Sequence, residues 1–160
     1  MSADNQWIEV IKGVSCPGYA HKEHTADVLV VCKGRTLEEL FQQAAIAVYE
    51  IITNTERVEP KVKVEIREEG IDLENLLYRF IESMLFYTDS EGLVFSRKID
   101  VKRVEKLDDE HWIVEAEAWG EEFDPGKHEH RTIVKAMTYA QMKIDRAPDG
   151  CYAATFVPDI

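Results

Sequence analysis

The sequence predicts an α+β fold in which two helices pack on a largely antiparallel sheet, and three observations carry that expectation. Two segments place apolar residues at three–four spacing behind a capping residue, which is the pattern of an amphipathic helix. Other segments alternate apolar and polar residues or form short β-branched runs, which is the pattern of strands. After residue 92 the strand-like segments follow one another with only turns or polar loops between them, as hairpins do and parallel crossovers do not.

In chain order, residues 1–18 read as an N-terminal arm or edge strand, with Trp7, Ile8, Val10, Ile11 and Val14 giving it apolar content to dock with. A single domain is expected over residues 19–160. Val28–Cys32 reads as a buried strand ended by Gly34. Thr36-Leu37-Glu38-Glu39 is a capping box that opens a helix with Leu37, Leu40, Phe41, Ala44, Ala45, Val48 and Ile52 on one face. Val62, Val64 and Ile66 alternate with charged residues in a half-exposed strand. Asp72 is a good N-cap for a second helix, which is expected to stop near Asp89–Gly92. Strands are then expected over 93–104, 112–119, 132–144 and 152–157, with a polar loop over 120–131 and a turn at Ala147-Pro148-Asp149-Gly150.

Composition narrows the function classes. The 160 residues carry 45% hydrophobic and 31% charged side chains, an ordinary globular composition. A chain of this length buries about 70% of its extended surface on folding. A formal charge of −12 argues against holding nucleic acid by its phosphates, and allows a cation site or a basic protein partner. No apolar run reaches membrane-spanning length, and the first twenty residues lack the basic start and apolar core of a secretory signal, so a cytoplasmic location is expected. Cys16, Cys32 and Cys151 form neither a C-x-x-C pair nor a ladder of spacings, so reduced and mostly packed thiols are expected, with a redox switch as the alternative.

No phosphate-binding loop, dinucleotide fingerprint, nucleophile elbow or H-E-x-x-H is present. The chemistry-bearing residues gather in four places. His21-Lys22-Glu23-His24-Thr25-Ala26-Asp27 sets two histidines and two carboxylates just ahead of a buried strand. There Asp27, expected to be half covered, either caps a turn or binds a cation. Asp159 and the terminal carboxylate of Ile160 stand side by side and, with Asp27, would make an all-oxygen site for a hard cation; the alternative is a frayed end. His128 and His130 lie in a charged loop and are expected to be solvated. Lys135 shares a strand face with Ile133, Met137 and Tyr139 under period two, so it either snorkels from an edge or pairs with a carboxylate in a site.

Six pieces in order resemble the archease family: Glu23–Val28, Thr36–Phe41, Asp89–Phe95, Gly120–Pro125 with His128, Val134–Tyr139, and Asp159-Ile160. The likeness runs from about Tyr19 to Ile160. It implies a non-enzymatic, compact α+β activator of the RtcB-type RNA ligase, which joins tRNA exon halves and other RNAs with 2′,3′-cyclic phosphate ends. The activator promotes guanylylation of the ligase and its multiple turnover. The resemblance also implies a divalent-metal site (Ca²⁺, or Mg²⁺ or Mn²⁺) on Asp27, Asp159 and Ile160, and a functional Lys135; His24 is a further partner-facing candidate. The chain departs from the family pattern at Ala140, where many members have His, and at Pro158. Two rival readings are a metal-dependent phosphohydrolase with His24 as acid/base, and a general or redox chaperone.

Overall fold

Ten elements follow one another along the chain of this computed structural model. They are α1 (Ala3–Ile11), β1 (Gly18–His24), β2 (Asp27–Gly34), α2 (Leu37–Ile52), β3 (Val62–Gly70), α3 (Leu73–Glu91), β4 (Leu93–Asp108), β5 (His111–Glu122), β6 (Lys143–Arg146) and β7 (Tyr152–Phe156). A short 3₁₀ turn, Thr55–Arg57, links α2 to β3. The structure describes residues 3–24 and 26–160, and for residues 3, 4 and 24 the main chain alone. The α+β class holds, with every strand pair antiparallel. The strands divide between two sheets, ordered β1-β2-β7-β6 and β3-β5-β4.

α2 lies between the sheets. Leu40, Phe41, Ala44, Ala45, Ala47, Val48 and Tyr49 are all fully buried, so the helix is apolar nearly all round rather than along one face. Three alanines let both sheets approach it. Its N-cap Thr36 accepts the Glu39 amide, but Glu39 turns its carboxylate to the main-chain N–H and guanidinium of Arg35, so half of the expected capping box forms. α3 begins as its sequence predicts, with Asp72 accepting the Asn75 amide, and ends at Gly92, whose φ of 68° suits a residue without Cβ. Period two splits β2: Val30 and Cys32 face α2, while Leu29 and Val31 face α1.

Three expectations need correction. Residues 1–18, expected as an N-terminal arm or edge strand, hold a docked helix instead of a strand: residues 3–11 form α1, which buries Ile11 against Leu29, Val31, Ala153 and Val157, and β1 follows at one edge of the first sheet. The strand expected over 132–144 shrinks to β6 and one isolated bridge, Ala136 to Asp159. Val134 and Met137 are buried while Ile133, Lys135 and Tyr139 are exposed, a spacing of three rather than two. Side chains hold this stretch in place of a ladder: Glu82 accepts the Met137 amide and Thr138 donates to the Val157 carbonyl. Cys16 and Cys151 are not reduced but joined in a disulfide that ties the segment after α1 to the β6–β7 turn. Cys32 is a free, buried thiol whose pKa burial raises to about 12, although the Ala154 carbonyl tempers the effect, so it is inert. Among the described residues no helix is long and apolar enough to cross a membrane.

Candidate functional site

β1 and β2 form a hairpin whose last pair is His24 with Asp27, so Asp27 stands beside the hairpin tip. β2 pairs with β7 in a register that sets Val30 opposite Phe156. The pairing ends there; an extended chain in the same register would set Asp27 opposite Asp159, on the face of Leu29 and Val157. The ladder itself stops at Phe156 for a chemical reason. Amides of consecutive strand residues point to opposite sides, and Pro158, whose turn it is to face β2, has no N–H to give. The chain end therefore hangs from its other neighbour: Val157 donates to Ala140 at 3.1 Å, and Asp159 donates to Ala136 at 2.9 Å while accepting the Lys135 amide at 2.7 Å.

The sequence candidates thus fall into place as follows. The chain end and the 134–140 segment meet, which joins Asp159 to Lys135 through the main chain, and the hairpin mouth with Asp27 lies at the same end of the first sheet. Asp27 is exposed rather than half covered; Asp159 and Lys135 are exposed and Ile160 is half-buried. None of Asp27, Asp159 and Lys135 is in an ion pair among the described residues. The side chain of His24 lies outside the described residues. His21 is structural, with Nε2 on the Ala47 carbonyl at 2.8 Å. Among the described residues no three His, Cys, Asp or Glu side chains converge as a metal cluster. The neighbourhood offers two carboxylates and main-chain oxygens instead, which is a donor set for a hard cation.

The loop after β5 corrects a further expectation. His128 is buried, not solvated: its Nδ1 accepts the Asp124 amide at 2.9 Å, so its Nε2–H donates to Glu121 at 3.0 Å. Glu121 also accepts from Lys127 and from the Glu59 amide. Burial alone would raise its pKa, but these donors outweigh it and hold the carboxyl at about 2. Both carboxylate oxygens of Glu121 and both ring nitrogens of His128 have partners, so the cluster is a clasp on the loop.

The comparisons bear on the whole domain. Residues 19–160 match the model of the archease protein family (MTH1598/TM1083). The chain belongs to the archease family. Among its relatives, the protein archease of Aeropyrum pernix is 58% identical over 149 residues, which is 92% of this chain and 100% of that one. That of Pyrococcus furiosus is 47% identical over 142 residues, 89% of this chain and 98% of that one. The solution structure of Methanobacterium thermoautotrophicum protein 1598 superposes with a TM-score of 0.77 at 33% identity, covering 90% of this chain and 99% of that one. The archease match begins at residue 19, so α1 lies ahead of it.

Sequence reasoning passed over Tyr78 and Glu82 as functional groups. Glu82 holds the main chain next to Lys135, and Tyr78 stacks on Tyr139. The signal was available: Tyr78, Glu82 and Phe86 recur every four residues off the leucine stripe of α3.

Proposed function

We propose that this archease is a cytoplasmic, non-enzymatic activator of the RtcB-type RNA ligase. It promotes ligase guanylylation and multiple turnover in tRNA splicing, and carries a divalent cation on Asp27, Asp159 and main-chain oxygens of Ile160. What supports this reading is that β2 begins and β7 ends at the same end of the first sheet, where Lys135 is tied to Asp159 through the main chain. The donors are all oxygen, which fits Ca²⁺ first and Mg²⁺ or Mn²⁺ next. Bound there, the ion would supply positive charge at an otherwise acidic tip. The residues themselves present two carboxylates and one ammonium on a rigid end of the sheet, where phosphate or carboxylate groups of a partner can be met. Activation follows only if this end binds the guanylylation-competent ligase more tightly than the resting one.

The test uses limiting ligase and excess RNA with 2′,3′-cyclic phosphate ends. Asp27→Ala and Asp159→Ala are expected to reduce product to about one turnover per ligase. The same variants should lose calcium binding in a calorimetric titration. Undiminished multiple turnover in both variants refutes the site; phosphoester hydrolysis by the protein alone refutes the non-enzymatic role.

A further inference from the structure

From the chain's outer face we infer that α3 and the segment 132–139 together form a docking surface for a basic protein segment with an apolar anchor. The inference rests on the ligase-activator reading, to which it adds a footprint. The segment runs antiparallel to α3. Its start is tied to the end of α2 by Thr132 on the Ile51 carbonyl at 3.0 Å, and Ile133 lines a cavity with Thr88 near the end of α3. Its middle is held by Glu82 through the Met137 amide at 2.9 Å. Its end reaches the first turns of α3, where Asn75 donates to the Tyr139 hydroxyl at 2.8 Å and the Tyr78 and Tyr139 rings stack 4.4 Å apart, 7° from parallel.

Two parallel rails result. The segment presents Ile133, Lys135 and Tyr139; α3 presents Tyr78, Glu82 and Phe86, spaced i, i+4, i+8 along one helical face about 12 Å long. Large apolar side chains stand out of this surface, with Phe86 and Ile133 each 64% exposed and Tyr139 53% exposed. On the β3 side of the helix, Tyr78, Glu82 and Phe86 line a shallow groove of about 460 Å³ with Glu68 and Arg79. Aromatic groups that keep their bulk in water mark interaction sites, and tyrosine with arginine dominates the centres of such interfaces.

Charge selects the occupant. Glu68, Asp72, Glu74, Glu82 and Asp159 outnumber Arg79 and Lys135 around the rails, and Arg79 is already turned to Glu68 at 3.8 Å. The stacked tyrosines offer a ring face to a guanidinium, and Glu82 lies one turn from Tyr78 to pair with it. RNA would meet the same carboxylates as like charge. Because Ala136 bridges Asp159, a segment seated on the rails lies against the candidate cation end, so docking and activation share one continuous surface.

The experiment measures binding of the purified ligase to immobilised full-length protein, at low and high salt, with RNA alone as a second analyte. Phe86→Ala and Tyr139→Ala are each expected to weaken ligase binding at least tenfold, Phe86→Ala at unchanged melting temperature, and salt to weaken the wild type further. Leu107→Ala, on an exposed residue away from the rails, should bind normally. Wild-type binding that survives both aromatic substitutions overturns the footprint but leaves the ligase reading standing. No binding by the wild type overturns the ligase reading and the footprint with it. RNA binding that depends on Phe86 and Tyr139 overturns the choice of a protein occupant.

Discussion

Glu121 is the buried carboxylate on which the loop after β5 depends. Its folded pKa of about 2 lies below the ordinary value of about 4.3. A depressed pKa means that stabilisation is fully present above the unfolded value and is lost as pH falls through the folded one. Glu121→Gln is therefore expected to cost about 2 kcal/mol at neutral pH, where charged hydrogen bonds are lost. The gap from wild type should close between about pH 4 and pH 2 in urea titrations. A gap that stays constant across that window refutes the assignment. Gly120 is constrained by shape instead. A Cβ there would stand 2.0 Å from the Val94 carbonyl oxygen, which belongs to the adjoining strand and cannot swing away. Gly120→Ala should lower stability by roughly 3 kcal/mol, read as a fall of about 10 °C in melting temperature. Neither residue announced itself in the sequence. The sequence reads Gly120 and Glu121 as the start of a polar loop, whereas both belong to β5, paired with Phe95 and Val94, and the Asp124–His128 turn closes on Glu121.

The elements differ in how much of each was legible. α2 and α3 were readable because a cap and a long apolar repeat agree with one another. β5 was readable because alternation survives burial on one face. The 132–144 stretch misled because its N–H groups are taken up by Glu82 and by the chain end, neither of which is near in sequence. α1 was hidden for a related reason: its helix depends on docking Ile11 and on Trp7 donating to Thr155 at 3.0 Å. The disulfide to Cys151 was equally invisible, since two cysteines 135 residues apart reveal nothing of their proximity until β2 and β7 pair. This covalent tie makes a prediction about α1. Removing a cross-link of that span returns as much as about 5 kcal/mol of loop entropy to the unfolded chain. Because the family match starts at residue 19, the region released first should be α1 and not the domain. Cys16→Ser should lower the melting temperature, and limited proteolysis should then cut ahead of Tyr19 and leave the remainder intact. Cleavage that starts inside β3 to β5 would show that the bond supports the whole molecule.

At the scale of the molecule, the two sheets divide the charge unequally. On the outer face of the β3-β5-β4 sheet, Lys63 and Lys102 reach Glu117, and Arg67 and Arg103 reach Glu115, so cations and carboxylates interleave there. Four of the chain's 19 cations are used in that lattice, and the candidate site and the α3 rails share in a net charge of −12. That the molecule is acidic was legible at once; which of its charges meet across β3, β4 and β5 was not, because cross-strand pairing decides it. Likewise, Asp27 and Asp159 could be named from the family likeness, but only the β2–β7 pairing puts the start of β2 and the chain end at the same end of the sheet. The two charge populations should respond differently to salt. Exposed cross-strand pairs contribute little each and are screened within about 10 Å at 0.1 M salt. Raising salt from 50 to 500 mM is thus expected to move the melting temperature by no more than about 2 °C. The acidic rails act over distance on an incoming basic partner, and long-range steering falls steeply with ionic strength. Over the same range the association rate with the ligase should drop about tenfold or more, with a smaller change in dissociation. Stopped-flow mixing separates the two rates. An association rate that ignores salt would mean that the −12 charge does not guide the encounter, and that the aromatic rails act only after contact.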